Sequence, residues 1–217
     1  MFHDRLDAAA RLSRELRSYR GRKDAVVLAV PRGGLPIGGA LSRELDLKLD
    51  VILTKKIGHP DNPEFAIGAV SLANEEIDAA VVERESIPPE YIAAEVKRIR
   101  ESLRRRYQMY RGAAQPLAVS GNTVILTDDG AATGRTLLAA IDLLRAQGAG
   151  KVVVALPVAP PDTAALLESR ADEVVCLMVP EDFMAIGQFY EDFSQVSDEE
   201  AVGILKGEAP GGKPKSR

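Results

Sequence analysis

Val124-Ile125-Leu126-Thr127-Asp128-Asp129-Gly130-Ala131-Ala132-Thr133-Gly134-Arg135-Thr136-Leu137 is the stretch whose reading decides the fold. It opens as a short apolar run, the pattern of a strand buried on both faces of a parallel sheet. Two adjacent carboxylates stand where that strand should end. Small residues follow, and an apolar-periodic run from Leu137 to Leu144 begins a helix. Backbone N–H groups at a helix start are unpaired and the macrodipole is positive there, so an anion is favoured. Thr133 and Thr136 add hydroxyl donors. Asp128 and Asp129 would repel an anion in the same spot, so they are expected to face sugar hydroxyls or a hydrated Mg²⁺. A Walker A loop is excluded, because it needs G-x-x-x-x-G-K-[ST]. Here the Gly130-to-Gly134 spacing is one residue short, and Arg135 stands in place of the lysine.

Upstream, Ala25 to Val30 is a second candidate central strand. Pro31-Arg32-Gly33-Gly34 comes next, then a helical pattern from Leu35 to Leu45. Two glycines after a strand permit a tight turn with N–H groups aimed at an anion. Arg32 can offer a planar donor fork to a diphosphate. Asp50 to Thr54 reads as a third strand, leading into Lys55-Lys56. The C-terminal edge of an open α/β sheet is where ligands bind. The two lysines would point to opposite sides if the strand persists, and Lys55 is the preferred one of the pair.

The 217 residues are long enough for one α/β domain with a sizeable core. Hydrophobic residues at 46% and charged residues at 28% fit a globular protein, and a net charge of −4 gives no basic footprint for nucleic acid. Cys176 is the single cysteine, so neither an internal disulfide nor a cysteine metal site is expected; a small buried hydrophobe is. Neither a signal peptide nor an apolar run of membrane-spanning length is read, so a cytoplasmic location without membrane partners is expected.

Residues 4–19 read as an amphipathic edge helix, and His3 is given no role. Ala66–Leu72 and Ile77–Val82 read as a hairpin. Pro88-Pro89 precede a long helix over 89–111, with Ile92, Val96, Ile99, Leu103, Tyr107 and Tyr110 on one stripe and many arginines elsewhere. Those arginines read as a solvated face, a field steering an anionic substrate, or a subunit contact giving a homodimer. Strands over 151–157 and 173–178 flank a short helix over 161–169. A last helix over 197–205 is capped by Ser197, with Glu200 three residues on. The alternation predicts a doubly wound, mainly parallel sheet.

Apolar residues, two acids, small residues and T-G-x-T resemble the phosphoribosyl-diphosphate (PRPP) signature of the type I phosphoribosyltransferases. With K-I-G-x-P-x-N-P-E-F at 56–65, the chain is most similar to the bacterial phosphoribosyltransferases of unassigned substrate. The resemblance implies one domain over 1–206. Residues 58–120 would supply a mobile loop or hairpin plus an inserted long helix, and 179–195 a small hood; the Gly-, Pro- and Lys-rich end over 207–217 is expected from its composition to be a disordered tail. It implies Mg²⁺-dependent transfer of the 5-phosphoribosyl group to a ring nitrogen of a nucleobase-like acceptor, with release of pyrophosphate. The alternative is a non-catalytic PRPP-sensing regulator, since the same fold and signature serve both.

By the same resemblance, Asp128 and Asp129 are the catalytic acids at the ribose and would hold a metal through water or ribose. Gly130, Ala131, Ala132, Thr133, Gly134, Arg135 and Thr136 grip the 5′-phosphate. Arg32, Gly33, Gly34, Lys55 and Lys56 bind pyrophosphate. His59 is an acid/base or diphosphate contact, or a solvent-facing loop histidine. Phe183 would stack on the base, and Asp192 is the later acid of the hood; the alternative is that the aromatics of this segment pack the sheet edge. Two departures from the 6-oxopurine enzymes stand out. Ala132 replaces their Asp before T-G, and no lysine occurs over Leu156-Pro157-Val158-Ala159-Pro160 to read a purine oxo group.

Overall fold

A computed structural model describes residues 1–63 and 65–207. Five parallel strands form the main sheet: β1 (Ala25–Ala29), β2 (Lys48–Val51), β6 (Thr123–Thr127), β7 (Lys151–Val158) and β8 (Glu173–Met178), in the order β2-β1-β6-β7-β8. The period-2 alternation of side chains sorts their apolar residues onto two faces. Val26, Leu28, Val124, Leu126, Val152, Val154 and Leu156 meet α5 (Arg135–Ala146) and α6 (Pro161–Glu168). Val27, Ile125, Val153 and Ala155 meet α1 (Arg5–Glu15) and α2 (Gly34–Leu45). Both faces are covered, which is why these strands read as continuous apolar runs.

Two local readings are corrected. The third strand stops at Val51 rather than Thr54, although Ile52 N still donates to Ala29 O at 3.1 Å. Lys55 and Lys56 therefore do not end a main-sheet strand. They open β3 (Lys55–Gly58) of a separate antiparallel sheet, β3-β4-β5, with β4 at Ala66–Val70 and β5 at Glu75–Ile77. The second arm of the hairpin is also shorter than expected. Asp78 accepts a hydrogen bond from Val81 N at 3.0 Å and caps a short helix, α3 (Ala79–Arg84), where strand was anticipated.

The small sheet is packed down. Ile57, Ile67 and Val70 are fully buried against Val96, Ile99 and Leu103 of α4 (Pro89–Arg111). At the hairpin tip, Asn74 Nδ2 donates to Leu143 O at 3.1 Å, and Asn74 Oδ1 accepts from Gln147 Nε2 at 3.0 Å. Within the stretch expected to be mobile, Pro60–Pro63 and Phe65 are exposed, as are Ala73, Glu75 and Glu76 of the hairpin, and Glu64 lies outside the described residues.

The stripe on α4 faces inward as its spacing anticipates. Tyr107 donates to the buried Asp50 carboxylate at 2.9 Å, and Arg111 Nε lies 3.3 Å from it. Burial, then the Asp50 bond, pushes the Tyr107 hydroxyl up to about 12. Several arginines that read as a free surface have partners within the chain: Arg98 with Glu95, Arg100 with Glu75, Arg111 with Asp50.

Residues 179–195 lie beyond β8 and are tied to the N-terminal segment. Phe2 N donates to Phe189 O at 2.8 Å, Glu191 N to Phe2 O at 2.9 Å, and Asp192 N to His3 O at 2.8 Å. A final helix, α7 (Asp198–Leu205), starts at Ser197, whose Oγ accepts from Glu200 N at 3.1 Å. Of the tail expected to be disordered, residues 208–217 lie outside the described residues. No described helix is long and apolar enough to cross a membrane.

Candidate functional site

The chain leaves β1 toward β2 on one side and leaves β6 toward β7 and β8 on the other. Adjacent β1 and β6 therefore form a topological switch point, and the C-terminal ends of such strands are where an open α/β sheet places its ligands. The two loops singled out in the sequence, 31–34 and 128–134, both sit there. Val30 N donates to Thr127 O at 2.9 Å and carries the pairing to the loop mouths. The Pro31–Arg32 peptide is cis.

Gly33 and Gly34 are glycines because of close approach. A Cβ at Gly33 would lie 2.1 Å from Asp129 Oδ2, and one at Gly34 would lie 2.9 Å from both Asp128 Cα and Thr127 O. The start of α2 thus lies directly against the acidic pair. Residue types alone suggest that these glycines make room for an anion; the observed contacts show that Gly33 first makes room for the Asp129 carboxylate and Gly34 for the backbone at 127–128.

The two acids differ. Asp129 is buried and accepts from Arg5 twice on Oδ2, from Nε at 3.0 Å and from Nη2 at 2.7 Å. Its backbone carbonyl accepts the Tyr190 hydroxyl at 2.8 Å. Asp128 is partly exposed and accepts only the Asp129 N–H, at 2.9 Å, among the described residues. Enclosure by the loops, then the neighbouring Asp129 charge, pushes the Asp128 carboxyl well above the usual carboxylate range.

The small-residue loop is fastened from below and open above. Ala131 N donates to Val158 O at 3.0 Å, and the Thr163 hydroxyl donates to Ala132 O at 2.8 Å. Gly134 adopts φ +66° as the N-cap of α5 and brings no side-chain cap. The first-turn N–H groups therefore have no intrahelical or capping acceptor. Ala132, Thr133, Arg135 and Thr136 are exposed around them. Such an uncapped helix start, with hydroxyl and guanidinium donors on its rim, is chemically suited to an anion. Thr163→Val is expected to cost about 1 kcal/mol, a melting shift of about 2–4 °C for a chain of this size, and to weaken anion binding several-fold; thermal melts and phosphate titration read both.

The remaining candidates are placed unequally. Arg32 is half-buried, its Nη1 3.4 Å from Asp198 Oδ1 at the start of α7. Lys56 and Arg135 line one cleft of about 730 Å³ between the small sheet and α5. Lys55 lies instead on the α4 side, where it and, more strongly, Arg98 hold the Glu95 carboxyl below its usual range. The preference for Lys55 assumed a main-sheet strand, and that strand ends at Val51. His59 Nδ1 accepts from Asp61 N at 3.1 Å, a bond within its own loop.

Phe183 is half-buried against Phe189, ring centroids 5.4 Å apart. Asp192 is exposed and accepts from Ser194 N at 3.0 Å, which holds its carboxyl below the usual range. Among the described residues, no hydrogen bond or ring contact joins Phe183 or Asp192 to the acidic pair. No cluster of three or more His, Cys, Asp or Glu residues suited to a metal occurs among them either.

Arg5 is the participant that sequence reasoning missed. It reads as one more charge on an amphipathic helix. Its only local signal is a cation in the first turn, where the macrodipole disfavours one.

The family model for the phosphoribosyl transferase domain matches residues 2–194. Two relatives from Mycobacterium tuberculosis strains, both provisionally named as phosphoribosyl transferases, are 38% identical over 216 residues, covering 94% of this chain and 46% of theirs. The chain thus spans about half the length of these curated relatives. The crystal structure of TT1426 from Thermus thermophilus is 40% identical, covers 94% of this chain and 97% of that one, and superimposes with a TM-score of 0.84.

Proposed function

Because this chain belongs to the phosphoribosyl transferase domain family, we propose that it transfers the 5-phosphoribosyl group of PRPP to a ring nitrogen of a nucleobase-like acceptor. The observation that carries the reading is the joining of the two anion-suited loops across the acidic pair, with Gly33 and Gly34 packed on Asp129 and Asp128. Residues 130–136 take the 5′-phosphate at the uncapped start of α5. Arg32, Gly33 and Gly34 take the pyrophosphate. Lys56 is preferred to Lys55 for the outer phosphates, since it shares a cleft with Arg135.

The acceptor nitrogen's lone pair forms a bond to C1 of the ribose, and the C1–oxygen bond breaks with its electrons leaving on pyrophosphate. Any proton carried by that nitrogen goes to solvent. Positive charge builds on the ribose as the bond breaks, and a carboxylate at Asp128 stabilises it by proximity and electrostatics rather than covalently. Asp128 supplies hard oxygen donors and lacks a cation partner among the described residues, which suits a hydrated Mg²⁺. Asp129 is already paired with Arg5 and suits it less. When bound, Mg²⁺ would neutralise charge on the diphosphate.

Phe183 offers an aromatic face for a planar acceptor. Ala132 and the apolar segment 156–160 bring no side-chain charge to read it. The reaction is a cytoplasmic one in this reading, with small-molecule partners only.

Pyrophosphate release from Mg²⁺–PRPP with a panel of purine, pyrimidine and other ring-nitrogen bases tests the proposal. Release with at least one base is expected. Tight PRPP binding with no release for any base would favour the sensing role.

A further inference from the structure

The geometry points to Arg5 as a positioning residue of the PRPP site: it anchors Asp129 between the N-terminal segment and Gly33, so that Asp128 is the carboxylate turned toward the ribose. This rests on the PRPP reading above. Arg5 is buried, and each end of its guanidinium is fixed. Nε and Nη2 donate to one oxygen of Asp129, at 3.0 and 2.7 Å. Nη1 donates to Ser194 O at 2.8 Å, and the Phe193 ring centroid lies 4.0 Å from the guanidinium carbon. Such a two-donor grip orients a carboxylate in a way that a lysine ammonium does not.

The consequence passes to both loops. Asp129 Oδ2 and Cγ occupy the space a Gly33 Cβ would need, so the place of Asp129 sets how closely the 31–34 loop approaches. The Asp129 N–H in turn donates to Asp128 Oδ1 and aims it. Two carboxylates side by side would also repel each other; Arg5 pairs with Asp129 and leaves Asp128 as the carboxyl without a cation partner among the described residues. Arg5 belongs to the site through this contact, although it is remote in sequence from both loops.

The test is a double-mutant cycle read by Mg²⁺–PRPP affinity, with folding checked by thermal melts. Arg5→Gln and Asp129→Asn are each expected to weaken binding about tenfold, and Arg5→Lys about threefold. The Arg5→Gln/Asp129→Asn double variant should be weakened by no more than about twofold beyond either single change, because both disable one contact. Should Arg5→Gln not fold, the cycle is run with Arg5→Lys, and the same lack of additivity is expected. A folded Arg5 variant with wild-type affinity, or a double variant weakened by the product of the two single losses, overturns the inference. Wild-type chain that binds no Mg²⁺–PRPP overturns the PRPP reading as well, so the two failures are told apart.

Discussion

Asp128→Asn is expected to weaken Mg²⁺–PRPP binding about a hundredfold or more and to raise the melting temperature by a few degrees. Both effects come from one cause. The Asp128 carboxyl is enclosed by the two loops beside Asp129, and enclosure and that neighbouring charge both disfavour ionisation. In the folded chain it therefore holds its proton more tightly than in the unfolded chain. Between the ordinary value of 3.8 and its raised value, the folded state binds more protons, so stability falls as pH rises through that window. Above the raised value the deficit is complete. Asparagine never ionises, can still accept from Asp129 N, and should recover this deficit at neutral pH. The melting-temperature gap between variant and wild type should close as pH falls below the ordinary carboxylate range. Melts at stepped pH check this, and a gap that does not depend on pH would contradict it. Ligand binding offsets the deficit, since a cation and a ribose carrying positive charge both favour the ionised acid.

Gly33→Ala is the second large effect. The new methyl would lie 2.1 Å from Asp129 Oδ2 and 2.6 Å from its Cγ. A flexible side chain could swing aside, but Asp129 is gripped by Arg5 and its carbonyl is held by Tyr190. Either the loop retreats or the buried ion pair opens. Overpacking of this kind costs about 1–3 kcal/mol, a melting loss of about 2–4 °C per kcal/mol. PRPP affinity should fall at least about tenfold, because the 31–34 loop and the acids can no longer share one geometry. Calorimetry of the folded variant reads the affinity. Wild-type binding would show that the tight Gly33–Asp129 contact is not needed in the bound state.

The sheet was legible in the sequence because its strands are buried on both faces. Runs such as Val124–Leu126 and Val152–Leu156 have no polar interruption, and helical periodicity separates them. The long helix was legible from Val96, Ile99, Leu103, Tyr107 and Tyr110 for the same reason. Errors fell where tertiary pairing overrides local pattern. Nothing in Asp50 to Thr54 says that the chain leaves the main sheet at Val51 and that Lys55 starts a new one. Nor does Ile77–Val82 announce that Asp78 caps a helix, since valines there suit either state.

For the site, motifs located both loops, but Gly33 and Gly34 have a reason visible only in three dimensions, the approach of the Asp129 carboxylate and of the 127–128 backbone, remote in sequence. Arg5 was invisible for a related reason. A buried ion pair formed over 124 residues leaves no periodicity to read.

The most direct test of the central claim is calorimetric titration of the full chain with PRPP in the presence of Mg²⁺. One PRPP per chain is expected to bind, with pyrophosphate and ribose 5-phosphate each competing, because the two loops are assigned to those two ends. Absence of binding, or binding that Asp128→Asn and Gly33→Ala both leave unchanged, would contradict the assignment of the Val124–Leu137 stretch.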